Sequence, residues 1–287
     1  METPQELNFA SLGLELACAA WGEPDRPVVV LLHGFQDHGR SWDPVARDLA
    51  RDFRVLCPDQ RGFGHSGWAG PGGSYHFYDY FMDLYALLEA AGVERAHLVG
   101  HSMGANVAAG FAGSFPERVG RVALVEGLGL PDCSPDDAPM RIRRWVFGTR
   151  KLADRASRPM PSVEDAAGRL RSANPSLGED VALVLAEYGT RPHPAGGLAW
   201  AFDPLHRAPS AKPFYLSEWR AFWARIPGPV LVVGGGKSPF RLPDLDERVA
   251  TLDRPVVEVV EGAGHNVHHD APGPLTALLR RHLEESP

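Results

Sequence analysis

The sequence predicts an α/β fold, a mostly parallel, doubly wound sheet carrying an inserted helical cap. Three observations predict it. Short Val- and Leu-rich runs recur without polar alternation, as strands buried on both faces do. Helical patterns separate most of these runs, and strand–helix alternation builds a parallel sheet. The alternation stops at Leu130 and resumes at about Pro227, so a block of chain is interpolated between two core strands.

The opening stretch ELNFASLGLELACAAWG (6–22) alternates around an internal Gly, which predicts an antiparallel hairpin at the sheet edge. VVVLLH (28–33) reads as a buried strand, followed by helical SWDPVARDLARD (41–52). The strand RVLCPD (54–59) leads to the helix YFMDLYALLEAAG (80–92), and AHLVGH (96–101) leads to MGANVAAGFAGSF (103–115). RVALVE (121–126) closes the first block; PVLVVG (229–234), VVEVVE (256–261) and the helix GPLTALLRRHLEE (273–285) form the second.

Between the blocks lie APMRIRRWVFGTRKLADRA, SVEDAAGRL, EDVALVLAEYGT and SEWRAFWARI, all helical in pattern. Ser162 and Asp165 stand at capping-box spacing. An insert of this size cannot fit inside a sheet, so it belongs above it as a lid. The expected division is a core of residues 1–130 and 228–287 and a helical cap of 131–227. Trp145, Phe147, Trp200, Phe202, Trp219, Phe222 and Trp223 are expected mainly to pack cap onto core. The arginine-rich RIRRWVFGTRK reads as a solvated face.

Bulk properties narrow the function. At 287 residues, 44% apolar and 23% charged, the chain can bury a sizeable core. A net charge of −7 without a Lys/Arg run argues against nucleic acid and anionic membrane as partners. VVVLL is far too short to span a bilayer. METPQELNF lacks the basic and apolar regions of a secretory signal, and three scattered cysteines do not make a disulfide framework. The expectation is a cytoplasmic protein.

Three stretches carry chemistry. LVGHSMGAN (98–106) is G-x-S-x-G directly after a strand and before a helix. In that tight turn the residues two before and two after the serine pack together, which Gly100 and Gly104 permit; Ser102 is the candidate nucleophile. LLHGFQDHG (31–39) follows another strand, and its His33-Gly34 turn would aim a backbone N–H at a substrate carbonyl. The N–H groups of Phe35 and Met103 are the candidate oxyanion hole. EGAGHNVHHDAP (261–272) supplies His265 as the base that a serine hydroxyl needs, with His268 and His269 as competitors. HNVHHD resembles a metal-ligand run, but no other pair at ligand spacing supports a metal, so none is expected.

Together, HGFQDHGRSW, PDQRGFGHSG, GHSMGANVA and GAGHNVHHDAP resemble the α/β-hydrolase superfamily, in its order and over about residues 6–130 and 228–285. Residues 74–130 and GGLAWAFDPLHR (196–207) look closer to its serine-hydrolase-like branch. The resemblance implies an α/β-hydrolase fold with a Ser-His-acid triad under a helical cap, needing no cofactor. It also exposes a departure. In most of the superfamily the acid follows the strand read here as 229–234, where LVVGGGKSPF places Ser238, which carries no charge to orient an imidazole. Some members, the haloalkane dehalogenases among them, carry the acid one strand earlier, and here Glu126 ends that strand. A Glu at an apolar strand end is costly unless paired, so Glu126 is the candidate acid. Asp244 and Asp246 are reserves that read better as a helix N-terminus. Ser102 in place of an Asp nucleophile argues against hydrolytic dehalogenation.

Two tempting patterns fail. GFGHSG (62–67) has no helix after it, and GGGKS (234–238) would need its first Gly at Leu231, inside a strand. The expected activity is a serine hydrolase cleaving an ester, thioester or lactone of a small, largely apolar molecule. The alternatives are a lyase, perhydrolase or cofactor-free oxygenase on the same fold, or a non-catalytic binding protein.

Overall fold

The apolar runs become an eight-stranded sheet in the computed structural model, which describes residues 3–70, 72–153, 158–175 and 177–284. In chain order the first block holds β1 (Gln5–Ser11), β2 (Leu14–Trp21), β3 (Val28–Leu32), α1 (Asp43–Leu49), β4 (Arg54–Pro58), α2 (Asp79–Ala90), β5 (Ala96–His101), α3 (Met103–Ser114) and β6 (Val119–Val125). The insert holds α4 (Ala138–Ala153), α5 (Val163–Ala173), α6 (Glu179–Tyr188), β7 (Thr190–Pro192), β8 (Leu198–Trp200) and α7 (Leu216–Trp223). β9 (Val230–Gly235), α8 (Leu245–Val249), β10 (Pro255–Val260), α9 (Val267–Asp270) and α10 (Pro272–Glu284) complete the chain. The predicted stretches that reach into 1–2, 154–157 and 285–287 extend there beyond the described residues.

The sheet order is β1-β2-β4-β3-β5-β6-β9-β10. β1 and β2 form the antiparallel edge hairpin, β2 pairs antiparallel with β4, and every pairing from β4 to β10 is parallel. Strand order reverses around β3, so the loops leaving β3 and β5 diverge and open a crevice at their carboxyl ends. That is where doubly wound sheets hold their ligands.

Side chains alternate across the strands, and both directions meet helices. Val30, Leu32, Leu98, Val122 and Leu124 pack with α2, α3 and α7 on one face. Val29, Leu31, Val99, Ala123, Val125, Leu231 and Val233 pack with α1 and α10 on the other. This double burial is why the runs lack polar alternation. β10 is the exception: it is an edge strand paired only with β9, and Val256, Val257 and Val259 are exposed.

The insert divides by packing partner. α5 and α6 share a small core of Met160, Ala166, Ala167, Leu177, Ala182, Leu185 and Ala186. β7 and β8 form a hairpin that the helical reading of the insert missed. With three residues a side, it is too short to carry a periodicity. α7 packs on α3, where Gly113 lets the Phe222 backbone approach so closely that a Cβ would clash. Trp219, Trp223 and Phe202 are buried, as expected of aromatics joining insert to core. Replacing such a tryptophan by Ala costs about 3–5 kcal/mol. Trp145 and Phe147 on α4 stay exposed, so the expectation of packing fails for them. Polar contacts also tie insert to core: Tyr75 donates to Asp203 Oδ2 at 2.7 Å, and Arg40 lies over the Tyr188 ring at 4.0 Å. No described helix is long and apolar enough to cross a membrane.

Candidate active site

Ser102 stands in the turn between β5 and α3 with φ 52° and ψ −110°. A non-glycine residue held in this region costs about 1–3 kcal/mol and persists only where its surroundings dictate it. They do so here. A Cβ on Gly100 would collide with the Gly104 carbonyl, and one on Gly104 with the carbonyl of Leu32. The Ser102 N–H donates to Val125 O at 2.9 Å, and Asn106 Nδ2 donates to Ser102 O at 3.1 Å. Gln36 (φ 62°) and Glu126 (φ 54°) also have positive φ, so strained positions gather at the tops of β3, β5 and β6.

His265, on the loop between β10 and α9, joins the two other candidates. Its Nε2 lies 3.1 Å from Ser102 Oγ and its Nδ1 2.9 Å from Glu126 Oε2. A carboxylate only accepts, so Nδ1 carries the proton and the Nε2 lone pair faces the hydroxyl. That distance lies within reach of general-base transfer. His101 Nε2–H donates to the His265 carbonyl at 2.9 Å, which helps fix the loop.

Glu126 is held by three donors. The Gly235 N–H reaches Oε1 at 2.6 Å, while the Ser238 hydroxyl reaches Oε2 at 2.5 Å beside the His265 bond. Its side chain is 6% exposed, so these donors replace water. Ser238, which cannot itself serve as the acid, therefore holds the carboxylate one strand away. The sequence reading missed this contact, and no local signal reveals it, because the pair is 112 positions apart. Asp244 is engaged elsewhere, paired at 2.9 Å with the buried Arg248 of α8, and Asp246 lies in the first turn of that helix.

The turn after β3 is built for close approach. A Cβ on Gly34 would lie 2.7 Å from His101 Nδ1 and 3.4 Å from Ser102 Cβ. His33 is buried and kept neutral by that burial, which lowers its pKa. The Gln60 N–H donates to its Nε2 at 3.0 Å, so Nδ1 carries the proton and donates to Gly34 O at 2.8 Å. Met103 is the first residue of α3, where N–H groups have no intrahelical acceptor. The Phe35 ring is 48% exposed, and Phe240, 69% exposed, lies over His265 at 4.6 Å. Phe240 gives the site an apolar rim beside His265, whereas the Phe35 ring sits edge-on to Phe63 and His206.

His268 does not reach Ser102. Its Nε2 lies 3.2 Å from Asp37 Oδ2, and its ring stacks on Trp42 at 4.3 Å. Burial pushes its pKa down to about 3. Burial alone would raise Asp37, but His269 and His268 together hold its carboxyl well below the usual range. This pairing spans 231 positions and was invisible in the sequence.

Comparison with known proteins agrees with the architecture. A family model described as alpha/beta hydrolase fold matches residues 27–272. The 3-hydroxybutyrate-oligomer hydrolase of Cupriavidus necator is 31% identical, over 87% of this chain and 86% of that protein. A serine hydrolase-like protein of Danio rerio is 26% identical, over 94% and 85%. Among solved structures, a thioesterase domain from the curacin biosynthetic pathway superposes with a TM-score of 0.85 at 29% identity, covering 97% of this chain and all of that one (100%). A hypothetical protein of Pseudomonas aeruginosa PAO1 superposes with a TM-score of 0.87 at 30% identity, over 96% and 97%.

Proposed function

The chain belongs to the alpha/beta hydrolase family, and from that premise we propose that it is a serine hydrolase cleaving an ester, thioester or lactone through a Ser102-His265-Glu126 triad. The observation that carries this reading is the position of His265, hydrogen-bonded through one nitrogen to Ser102 and through the other to Glu126.

In this mechanism Ser102 Oγ attacks the substrate carbonyl carbon while its proton passes to His265 Nε2. The oxyanion that forms is held by the Phe35 and Met103 N–H groups; one such donor is worth about 10²–10³ in rate. His265 then protonates the departing alkoxide or thiolate, leaving an acyl-Ser102 ester. Water, deprotonated by His265, attacks the acyl carbon, and collapse of the second tetrahedral intermediate returns the proton to Ser102 and frees the acid. Glu126 keeps the imidazole in its Nδ1–H tautomer and stabilises the imidazolium. No cofactor takes part in these steps.

The substrate is a small, largely apolar molecule, a reading supported by the exposed Phe240 ring beside His265. The names of two similar proteins, an oligomer hydrolase and a thioesterase domain, point toward oxygen and sulfur esters. We place the work in the cytoplasm, in keeping with Cys18, Cys57 and Cys133, which are all unpaired.

The test is a screen of short-chain and aromatic esters, thioesters and lactones against the protein and its Ser102→Ala variant. Turnover that Ser102→Ala abolishes is expected. Near wild-type turnover in that variant would sink the proposal, and a histidine-dependent reaction without any ester cleavage would favour lyase or oxygenase chemistry.

A further inference from the structure

We propose that Asp37, His268 and His269 form a binding site for a single divalent transition-metal ion of the Zn2+ class. The three side chains come from the loop leaving β3 and from the short helix α9. Asp37 Oδ2, His268 Nε2 and His269 Nε2 all lie within 4.8 Å of one another. The carboxylate oxygen is 3.2 Å from the first imidazole nitrogen and 3.4 Å from the second. Metal bonds of 2.0–2.2 Å at a tetrahedral angle separate two ligand atoms by about 3.3 Å, which the two oxygen–nitrogen spacings match, and the two nitrogens lie no more than 4.8 Å apart.

Hydrogen bonding alone does not explain the cluster. Neighbouring residues of a helix point in different directions, yet the rings of His268 and His269 lie 3.9 Å apart and turn Nε2 toward the same carboxylate. The His269 side chain is 8% exposed, and its Nε2 is buried without an aligned hydrogen bond. A buried imidazole nitrogen that faces a carboxylate at 3.4 Å without an aligned hydrogen bond gives up little when a metal ion takes the place of that contact.

The surroundings suit the role. The His38 N–H donates to Asp37 Oδ1 at 2.9 Å and orients the carboxylate, leaving Oδ2 for the ion. The stack of His268 on Trp42 fixes that ring. Asp37 keeps 12% of its side chain exposed, which leaves a side open for entry and for a water ligand. Two imidazoles and one carboxylate favour Zn2+, Co2+ or Ni2+; Ca2+ and Mg2+ prefer oxygen sets. No second pair at ligand spacing accompanies HNVHHD in the sequence; the fold instead brings a single carboxylate, Asp37, to it from 231 positions away. An occupied site would join the loop carrying Phe35 to the loop carrying His265. It stands independently of the hydrolase reading.

The test titrates the metal-stripped protein with Zn2+ by calorimetry and with Co2+ by visible absorption. One ion per chain is expected, with the intense visible bands of a low-coordinate Co2+ site. Asp37→Asn and His269→Gln should each weaken binding more than about tenfold, since loss of even an outer partner has effects of that order. His76→Gln, at an exposed histidine far along the chain, should leave it unchanged. Circular dichroism verifies that the variants are folded; if Asp37→Asn is not, the less central His269→Gln decides. No stoichiometric binding, or binding that a folded His269→Gln leaves intact, would overturn the proposal.

Discussion

The tops of β6 and β9 are neighbours in the sheet, and each could carry the acid of this site. At the first stands Glu126, in strained backbone, with its carboxylate 2.9 Å from His265. At the second stands Ser238, whose hydroxyl donates to that same carboxylate at 2.5 Å. One position supplies charge and the other supplies a donor. The carboxylate facing His265 therefore stands on β6, while the β9 position holds that carboxylate in place of carrying one. What must be conserved physically is a buried, fully hydrogen-bonded negative charge behind Nδ1.

The comparison can be broken in three ways, in order of effect. Glu126→Gln keeps the shape but removes the charge, and should lower kcat/KM on any ester the protein turns over by about 10⁴-fold. A loss under tenfold would mean that Glu126 is a bystander. Glu126→Gln combined with Ser238→Asp moves the charge to the neighbouring strand; at least tenfold of the lost rate should return, measured on the same substrate. No recovery in a folded double variant would show that only the β6 position can address His265. Ser238→Ala removes one donor of the three on Glu126, and should reduce kcat by about three- to tenfold with KM little changed, consistent with the net contribution of about 1 kcal/mol of one hydrogen bond. An unchanged kcat would reduce Ser238 to a loop residue.

The legible and illegible parts of the molecule differ for the same reason. The Ser102 turn could be read because its backbone geometry demands small residues at 100 and 104, a constraint written within five positions. The parallel strands could be read because burial on two faces leaves no polar alternation. Glu126 could be singled out because a carboxylate at an apolar strand end needs a partner. Long-range pairings were not readable: Ser238 with Glu126, and Asp37 with His268, depend on how loops from distant strands converge. In the insert, helical periodicity located α5 and α6 but did not say what a helix packs on. α7 carries Trp219 and Trp223 into the core beside α3, whereas α4 leaves Trp145 and Phe147 exposed, although both segments pair tryptophan with phenylalanine and arginine.

The most direct measurement of the central claim is peptide mass spectrometry after a brief fluorophosphonate pulse on the protein and on its His265→Ala and Glu126→Gln variants. It reads activation of the hydroxyl without a chosen substrate. The triad account predicts one adduct, on Ser102, lost in His265→Ala and much slower in Glu126→Gln. Absence of an adduct on Ser102 in the folded protein, or labelling at the same rate in all three, would contradict it.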